Sequence, residues 1–125
     1  MITIAFFYSS NQIMRDFLLI FRRAYKTPEV QATDEALQAH LKHWQDWFRK
    51  LAAQDLLARP IQRWDPEGMV IWPDERITEG PYRETNIAVA GVITIRAKDY
   101  EQAAEIATDC PVLDVGGSVE VRMGN

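Results

Sequence analysis

The sequence predicts an α+β domain in which an antiparallel sheet is covered on one face by two helices. Three observations support this fold class: two runs that are apolar on both alternating faces, two amphipathic helical segments, and a last strand that alternates strictly. They occur in the order strand, helix, strand pair, helix, strand. This βαββαβ order is typical of a ferredoxin-like sheet with both helices on the same face.

Composition and charge exclude several classes of protein. The chain has 125 residues and a formal charge of -4, and a chain of this length can bury a core without disulfides or a structural metal. The acidic balance provides no basic patch for phosphate backbones, so we expect no nucleic-acid partner. Cys110 is the single cysteine, which excludes an internal disulfide and is typical of a reducing cytoplasm.

The N-terminal residues do not have the pattern of a signal peptide or a membrane anchor. Residues 1–8 and 17–21 are apolar, but no cationic segment precedes the first run and polar residues 9–12 separate the two. Neither run is long enough to span a bilayer, so we expect no membrane association and a cytoplasmic location. Met14 stands just before the second run and resembles a second start. We therefore interpret residues 1–13 as an N-terminal extension and residues 14–125 as a single domain.

The first strand and the first helix follow from hydrophobic period. Residues 17–21 are apolar on both faces, as in a central strand buried from above and below. After a polar loop that contains Pro28, Asp34 is predicted to cap a helix, with Glu35 in its first turn. The apolar stripe of this helix recurs at steps of four and three residues and consists of Leu37, Leu41, Trp44, Phe48 and Leu51.

Turn residues divide the middle of the chain. Pro60, Pro66 and Gly68 end the helical region and lead to a short strand at residues 69–72, which a turn connects to a paired strand at residues 77–78. Residues 87–95 are again apolar on both faces and predict a second central strand. Within this strand, Gly91 indicates a bulge or a close approach of another backbone.

The second helix is predicted to begin at Asp99, with Gln102 in the position of a capping box. Pro111 prevents its continuation. The inner face of this helix carries small residues, so we expect it to lie close to the sheet. These residues are Ala103, Ala104, Ala107 and Cys110. We interpret Cys110 as a buried filler and not as a nucleophile, because a buried free cysteine usually behaves as a small hydrophobe.

The last strand covers residues 118–123 and is amphipathic. Its two faces alternate, with Val119, Val121 and Met123 on one and Ser118, Glu120 and Arg122 on the other. Two helices can cover only one face of the sheet, yet both central strands are apolar on both faces. The apolar face that the helices leave uncovered would exceed what a soluble monomer normally exposes. We therefore expect a homodimer in which two sheets pack face to face around a partly enclosed space.

Several short motifs are shared with a known family. The main ones are Glu79-Gly80-Pro81-Tyr82 followed by Glu84-Thr85, and the closing run Gly116-Gly117-Ser118-Val119-Glu120-Val121-Arg122. Others are Phe17-Leu18-Leu19-Ile20 with Arg22, His40 with Trp44 and Trp47, Pro66-Glu67-Gly68, Gly91, and the helix end from Ala103 to Pro111. On these residues, over roughly positions 16–123, the chain resembles the YCII-related proteins and, within them, the DGPF-domain group. The resemblance implies the dimeric α/β barrel built from ferredoxin-like units.

The chain also departs from the pattern of that family. Glu79 replaces the opening Asp of the signature, Asn86 stands where a Lys usually follows Glu-Thr, and Ile87 replaces the next acid. The wider family is associated with a proposed pair of His and Asp, in which the Asp ends the first strand. Here that strand ends in Arg22-Arg23, so the pair cannot be carried over intact.

His40 is the best candidate for a general acid or base. On a helical wheel His40 and Trp47 lie along one flank of the apolar stripe, and histidine changes charge near neutral pH. The alternative is that His40 caps an edge of the core and His43 faces solvent. The spacing His40-x-x-His43 could also suggest a metal, but no Cys or paired acid stands at a supporting spacing. We expect neither a metal nor another cofactor.

The segments that carry the resemblance supply the other candidates for a small-molecule site. These are charged or aromatic residues, namely Arg22, Trp47, Glu79, Tyr82, Glu84, Glu120 and Arg122. Tyr82 follows Gly80-Pro81, where its ring can wall a pocket or plug the end of the barrel. Glu120 and Arg122 share a face of the last strand, so an ion pair between Arg122 and a glutamate is expected in a catalytic site and in a dimer-stabilising network alike.

Two hypotheses about function follow. The first is a small cofactor-free enzyme of lyase or isomerase type, in which His40 moves a proton and Arg22, Arg122 or Tyr82 stabilises an oxyanion of a small metabolite. The second is a non-catalytic module that binds a ligand or a partner. The resemblance implies a regulatory variant of this second hypothesis, because DGPF-type proteins are associated with alternative sigma factors. The departures at Arg22 and Asn86 favour the second hypothesis, but a mere binding module has less need of such a cluster of polar residues. The enzyme is therefore the function predicted here, and the binding module is the alternative.

Overall fold

The computed structural model describes residues 13–25 and 33–125. The elements in chain order are β1 (Arg15–Ala24), α1 (Asp34–Ala53), β2 (Met69–Ile71), β3 (Ile77–Glu79), β4 (Arg83–Glu84), β5 (Ile87–Ala97), α2 (Tyr100–Ala107), a 3-10 helix (Pro111–Val115) and β6 (Ser118–Met123). The proposed N-terminal extension, apart from Ile13, and most of the predicted polar loop lie outside the described residues. None of the helices in the described part of the chain is long and apolar enough to cross a bilayer.

The main sheet confirms the predicted fold class. Its four strands are antiparallel and lie in the order β4-β5-β1-β6, so the two strands predicted to be central are central. Both helices pack on one face. Trp47 and Leu51 of α1 and Ala103 of α2 share one buried cluster with Phe17 and Leu19 of β1. This is an α+β, ferredoxin-like arrangement of two helices on an antiparallel sheet.

The hairpin predicted in the middle of the chain is present, but it lies outside the main sheet. β2 and β3 pair only with each other within the described residues and form a separate small sheet, with Val70 opposite Thr78. The strand of the main sheet that follows α1 in chain order is instead the two-residue β4, which lies at the edge of the sheet. Gly80 turns the chain at a φ of 90°, and Pro81 has no N–H to donate to a ladder. These two residues separate the β2–β3 hairpin from the main sheet.

The bulge predicted at Gly91 is present. Phe21 lies opposite Gly91 and Arg22 lies opposite Val89, so Ala90 is an extra residue in β5. A bulge of this kind bends the strand and changes the direction of the side chains beside it. The irregularity therefore falls at the end of the sheet where Arg22 leaves the apolar part of β1.

The apolar stripe of α1 is buried over its C-terminal half. Trp47 and Leu51 are 3% and 2% exposed, whereas Leu37 and Leu41 near the N-terminus remain about half exposed, contrary to the predicted stripe. The aromatic residues of the second half are the ones that reach β1, and the ring centroids of Phe21 and Trp47 are 6.0 Å apart. The helix cap is also shifted by one residue, because Thr33 accepts the hydrogen bond and Asp34 is the first helical residue.

The predicted start of α2 is confirmed. Asp99 Oδ1 accepts a hydrogen bond from the Gln102 N–H at 2.9 Å, and Gln102 Oε1 accepts one from Lys98 N–H at 2.7 Å. Ala103 and Ala107 are buried on its inner face, but Ala104 is exposed and does not belong to that face.

The thiol of Cys110 has the environment of a core residue. Its side chain is 1% exposed, and burial raises the pKa of the thiol to about 11. A thiol with so high a pKa is almost entirely protonated at neutral pH and is a poor nucleophile. This agrees with its interpretation as a buried filler.

Candidate functional site

The candidate site lies on the face of the main sheet that points away from the helices, here called the outer face. Phe21 faces the helices, so the next residue of β1, Arg22, points to the outer face. A cleft of about 500 Å³ opens beside it at the end of the sheet. The lining residues come from four strands and from the β3–β4 and β4–β5 connections, and they are Arg22, Tyr82, Glu84, Thr85, Ile87, Ala88, Val89 and Ser118.

A charged network holds Arg22 in this cleft. Its guanidinium is 2.5 Å from Oε1 of Glu120, and the other carboxylate oxygen of Glu120 accepts a hydrogen bond from Nε of Arg122. The Arg22 hydrogen bond, followed by that of Arg122, holds the pKa of the Glu120 carboxyl below its ordinary range. The predicted ion pair between Arg122 and a glutamate is thus present, and Glu120 is shared by two arginines.

The network makes stability depend on pH in a defined direction. Because the pKa of Glu120 is lowered on folding, its contribution is complete above the unfolded glutamate value of about 4.3 and is lost as the pH falls below it. We expect Glu120→Gln to be less stable than the wild type at pH 6 and the difference to shrink towards pH 3. Urea unfolding of both proteins across this range measures it. A difference that stays constant with pH would contradict the role of the Glu120 charge.

Tyr82 forms an aromatic wall of the cleft and is supported by Trp72, which lies behind it. The ring of Tyr82 packs on the indole of Trp72, with 6.0 Å between centroids and 38° between planes. The Trp72 indole N–H donates to the Thr78 hydroxyl at 2.9 Å, and the guanidinium of Arg76 lies 5.0 Å from the centre of the Trp72 ring. Trp72 was missed as a functional candidate, because the sequence places it next to turn residues and gives no sign that it meets Tyr82.

The two histidines have different partners. His40 is half-buried, and its Nε2 accepts a hydrogen bond from the indole N–H of Trp44 at 3.0 Å. Trp44 packs on Phe21, so His40 lies on the helix side of the sheet while Arg22 lies on the outer face. His43 faces solvent in the alternative interpretation of His40; its side chain is 41% exposed, and its Nδ1 is 2.6 Å from a carboxylate oxygen of Asp114. Among the described residues, the histidine with a carboxylate partner is therefore His43.

The remaining candidates are divided between the core and the surface. Trp47 is part of the buried cluster, and Glu79 is exposed on the β2–β3 hairpin, outside the lining of the cleft. Of the predicted residues, Arg22, Tyr82 and Glu84 line the cleft together. Within residues 13–25 and 33–125, no cluster of His, Cys, Asp or Glu has the arrangement of a metal site.

Comparison with known proteins identifies one family. A family model described as the YCII-related domain matches residues 18–123, which include both helices and all but the first residues of the main sheet. A search of the curated proteins gave no match.

Proposed function

The chain belongs to the YCII-related family, and from this premise we propose that it is a non-catalytic module that binds a small carboxylate-bearing metabolite in the outer-face cleft. The observation that carries the proposal is the position of Arg22, which is 36% exposed and lies in a cleft of about 500 Å³. Sites for small ligands commonly have volumes of about 300–1,000 Å³. The cleft therefore suits a compact metabolite.

The charges around Arg22 support an anionic ligand. A guanidinium has five N–H donors, and among the described residues Arg22 has one ion-pair partner, Glu120. Glu120 is shared with Arg122, so this three-residue network has an excess of positive charge. Glu120 fixes the guanidinium and leaves donors of Arg22 for the carboxylate of a ligand, which it can bind in a bidentate manner. Ser118 offers a hydroxyl to the same carboxylate, and the Glu84 carboxylate can accept a hydrogen bond only from a donor group elsewhere on the ligand.

The geometry favours this proposal over the histidine-based lyase or isomerase. A general base must reach the proton that it removes, directly or through one water. His40 accepts a hydrogen bond from Trp44 on the helix side, and the sheet separates it from Arg22. We therefore expect His40→Ala to leave ligand affinity unchanged. A reaction on a bound metabolite that His40→Ala abolishes would overturn the proposal in favour of the enzyme.

The proposal can be tested by NMR titration of the full chain with acetate, succinate and benzoate. We expect at least one acid to shift the amide signals of Arg22 and Ser118, and Arg22→Gln to weaken its binding at least tenfold, since a charged hydrogen bond contributes about 1.5–3 kcal/mol. Arg49→Gln is the matched control, because Arg49 is an exposed arginine on α1 paired with Asp46. No shift with any acid, or equal losses in the two variants, would contradict the proposal.

We also propose that the protein is a homodimer that pairs through its outer face. Three apolar side chains of this face are strongly exposed in the single chain: Leu18 by 36%, Val89 by 42% and Ile87 by 50%. A second copy of the same sheet would remove them from water and would partly enclose the cleft.

The dimer proposal predicts a change of mass in one of two matched variants. Leu18→Glu places a charge at the centre of the expected interface, and we expect it to give a monomer by light scattering where the wild type gives a dimer. Leu41→Glu is the control, because Leu41 is 46% exposed on α1 and lies in the helical layer. A monomeric wild type, or a dimer that Leu18→Glu leaves intact, would contradict the proposal.

A further inference from the structure

We propose that the ligand carries a flat aromatic ring beside its carboxylate, that Tyr82 stacks on this ring, and that Trp72 is the positioning residue that holds Tyr82 in the cleft. This inference rests on the proposed function, because it assigns the chemical class of the ligand that Arg22 binds. It assigns a role to the β2–β3 hairpin, which carries Trp72.

The exposure of Tyr82 is the first step. Its ring lines the cleft and is 65% exposed, although Trp72 covers one side of it. A tyrosine held in this way presents the other side of its ring to whatever enters the cleft. Aromatic rings favour offset or tilted stacking with a second ring over contact with an aliphatic group of the same size.

The rigidity of the wall is the second step. Pro81 directly precedes Tyr82, and its ring fixes its own φ. The Gly80 N–H donates to the Gly68 carbonyl at 3.0 Å. Trp72 is itself fixed, because its indole N–H donates to Thr78 and its backbone N–H donates to the Arg76 carbonyl at 2.9 Å. Tyr82 is thus supported from behind by a side chain that has few ways to move.

The composition of the cleft is the third step. Arg22 supplies the positive charge, Tyr82 supplies an aromatic surface, and Ile87 and Val89 supply apolar surface between the polar groups. A carboxylate attached directly to a ring satisfies all of these groups with one compact molecule. A purely polar acid such as succinate would leave the apolar lining and the ring of Tyr82 without a contact.

The test compares benzoate with cyclohexanecarboxylate, which has the same charge and nearly the same size but no flat ring. We expect the wild-type full chain to bind benzoate about two- to tenfold more tightly in NMR titrations. Tyr82→Phe should keep this preference and Tyr82→Leu should abolish it. Trp72→Leu should reduce the preference while the affinity for cyclohexanecarboxylate stays the same. Trp64→Leu is the control, because Trp64 is 57% exposed and lines a different cleft.

Each alternative result has a distinct meaning. Equal affinity of the wild type for the two acids would overturn the aromatic ligand and leave the proposed function standing. Binding of acetate or succinate without binding of benzoate would do the same, whereas no binding of any of the four acids would overturn both. If Trp72→Leu behaves like Trp64→Leu, Trp72 has no positioning role. Should Trp72→Leu fail to fold, Thr78→Val replaces it, because this substitution removes only the hydroxyl that accepts the hydrogen bond of the Trp72 indole. An unchanged benzoate preference in Thr78→Val would equally overturn the role of Trp72.

Discussion

Replacement of Trp47 by alanine is expected to lower the free energy of unfolding by about 3–5 kcal/mol. The Trp47 side chain is 3% exposed and contacts Phe21 of the sheet and both Trp44 and Phe48 of its own helix, with ring centroids 5.6–6.0 Å apart. Truncation would remove a buried indole between α1 and β1 and leave a cavity that the rigid sheet cannot fill. Urea unfolding followed by tryptophan fluorescence and circular dichroism measures the loss.

The matched control for Trp47 lies on the same helix. Leu41 is 46% exposed, and Leu41→Ala should change the free energy of unfolding by only about 0.5 kcal/mol. The comparison also separates the two roles considered for Trp47. If Trp47→Ala were as stable as Leu41→Ala but lost benzoate binding, the indole would belong to a ligand site and its core role would be wrong.

The main sheet and the helices could be predicted because their patterns are local. Val119 and Val121 alternate with Glu120 and Arg122, and a period of two can place only one of these sets on the core. The β2–β3 hairpin could not be assigned in the same way. Its residues have the composition of strands, but whether they join the main sheet depends on the turn at Gly80 and Pro81, which is a matter of chain direction and not of hydrophobic pattern.

The candidate site was predicted in part. Arg22, Tyr82 and Glu84 came from short motifs far apart in the sequence, and the fold brings them to one cleft. A helical wheel placed His40 correctly on a flank of α1, but a wheel carries no information about residues across the sheet. The alternation of β1 contains that information, because Phe21 faces the helices and Arg22 must therefore face away from His40.

Gly117→Ala is the second substitution with a large expected effect, a loss of about 1–3 kcal/mol or more in the free energy of unfolding. A Cβ on Gly117 would lie 2.4 Å from the Arg22 carbonyl oxygen and 2.5 Å from Cγ2 of Val112. Neither neighbour can retreat easily, because Arg22 is part of β1 and Val112 is 1% exposed. The Gly117 N–H also donates to the Val112 carbonyl at 2.9 Å, and a displaced strand would lose this bond.

Gly116 provides the control, because glycine is favoured there by a positive φ and not by a close neighbour. Gly116 has open space around it but a φ of 79°, so Gly116→Asn should cost well under 1 kcal/mol, since asparagine tolerates this conformation. Gly117 packs against the backbone of Arg22 and precedes Ser118, so Gly117→Ala should also weaken benzoate binding, whereas Gly116→Asn should not. Equal stability and equal affinity in the two variants would show that the close approach at Gly117 does not hold Arg22 in the cleft.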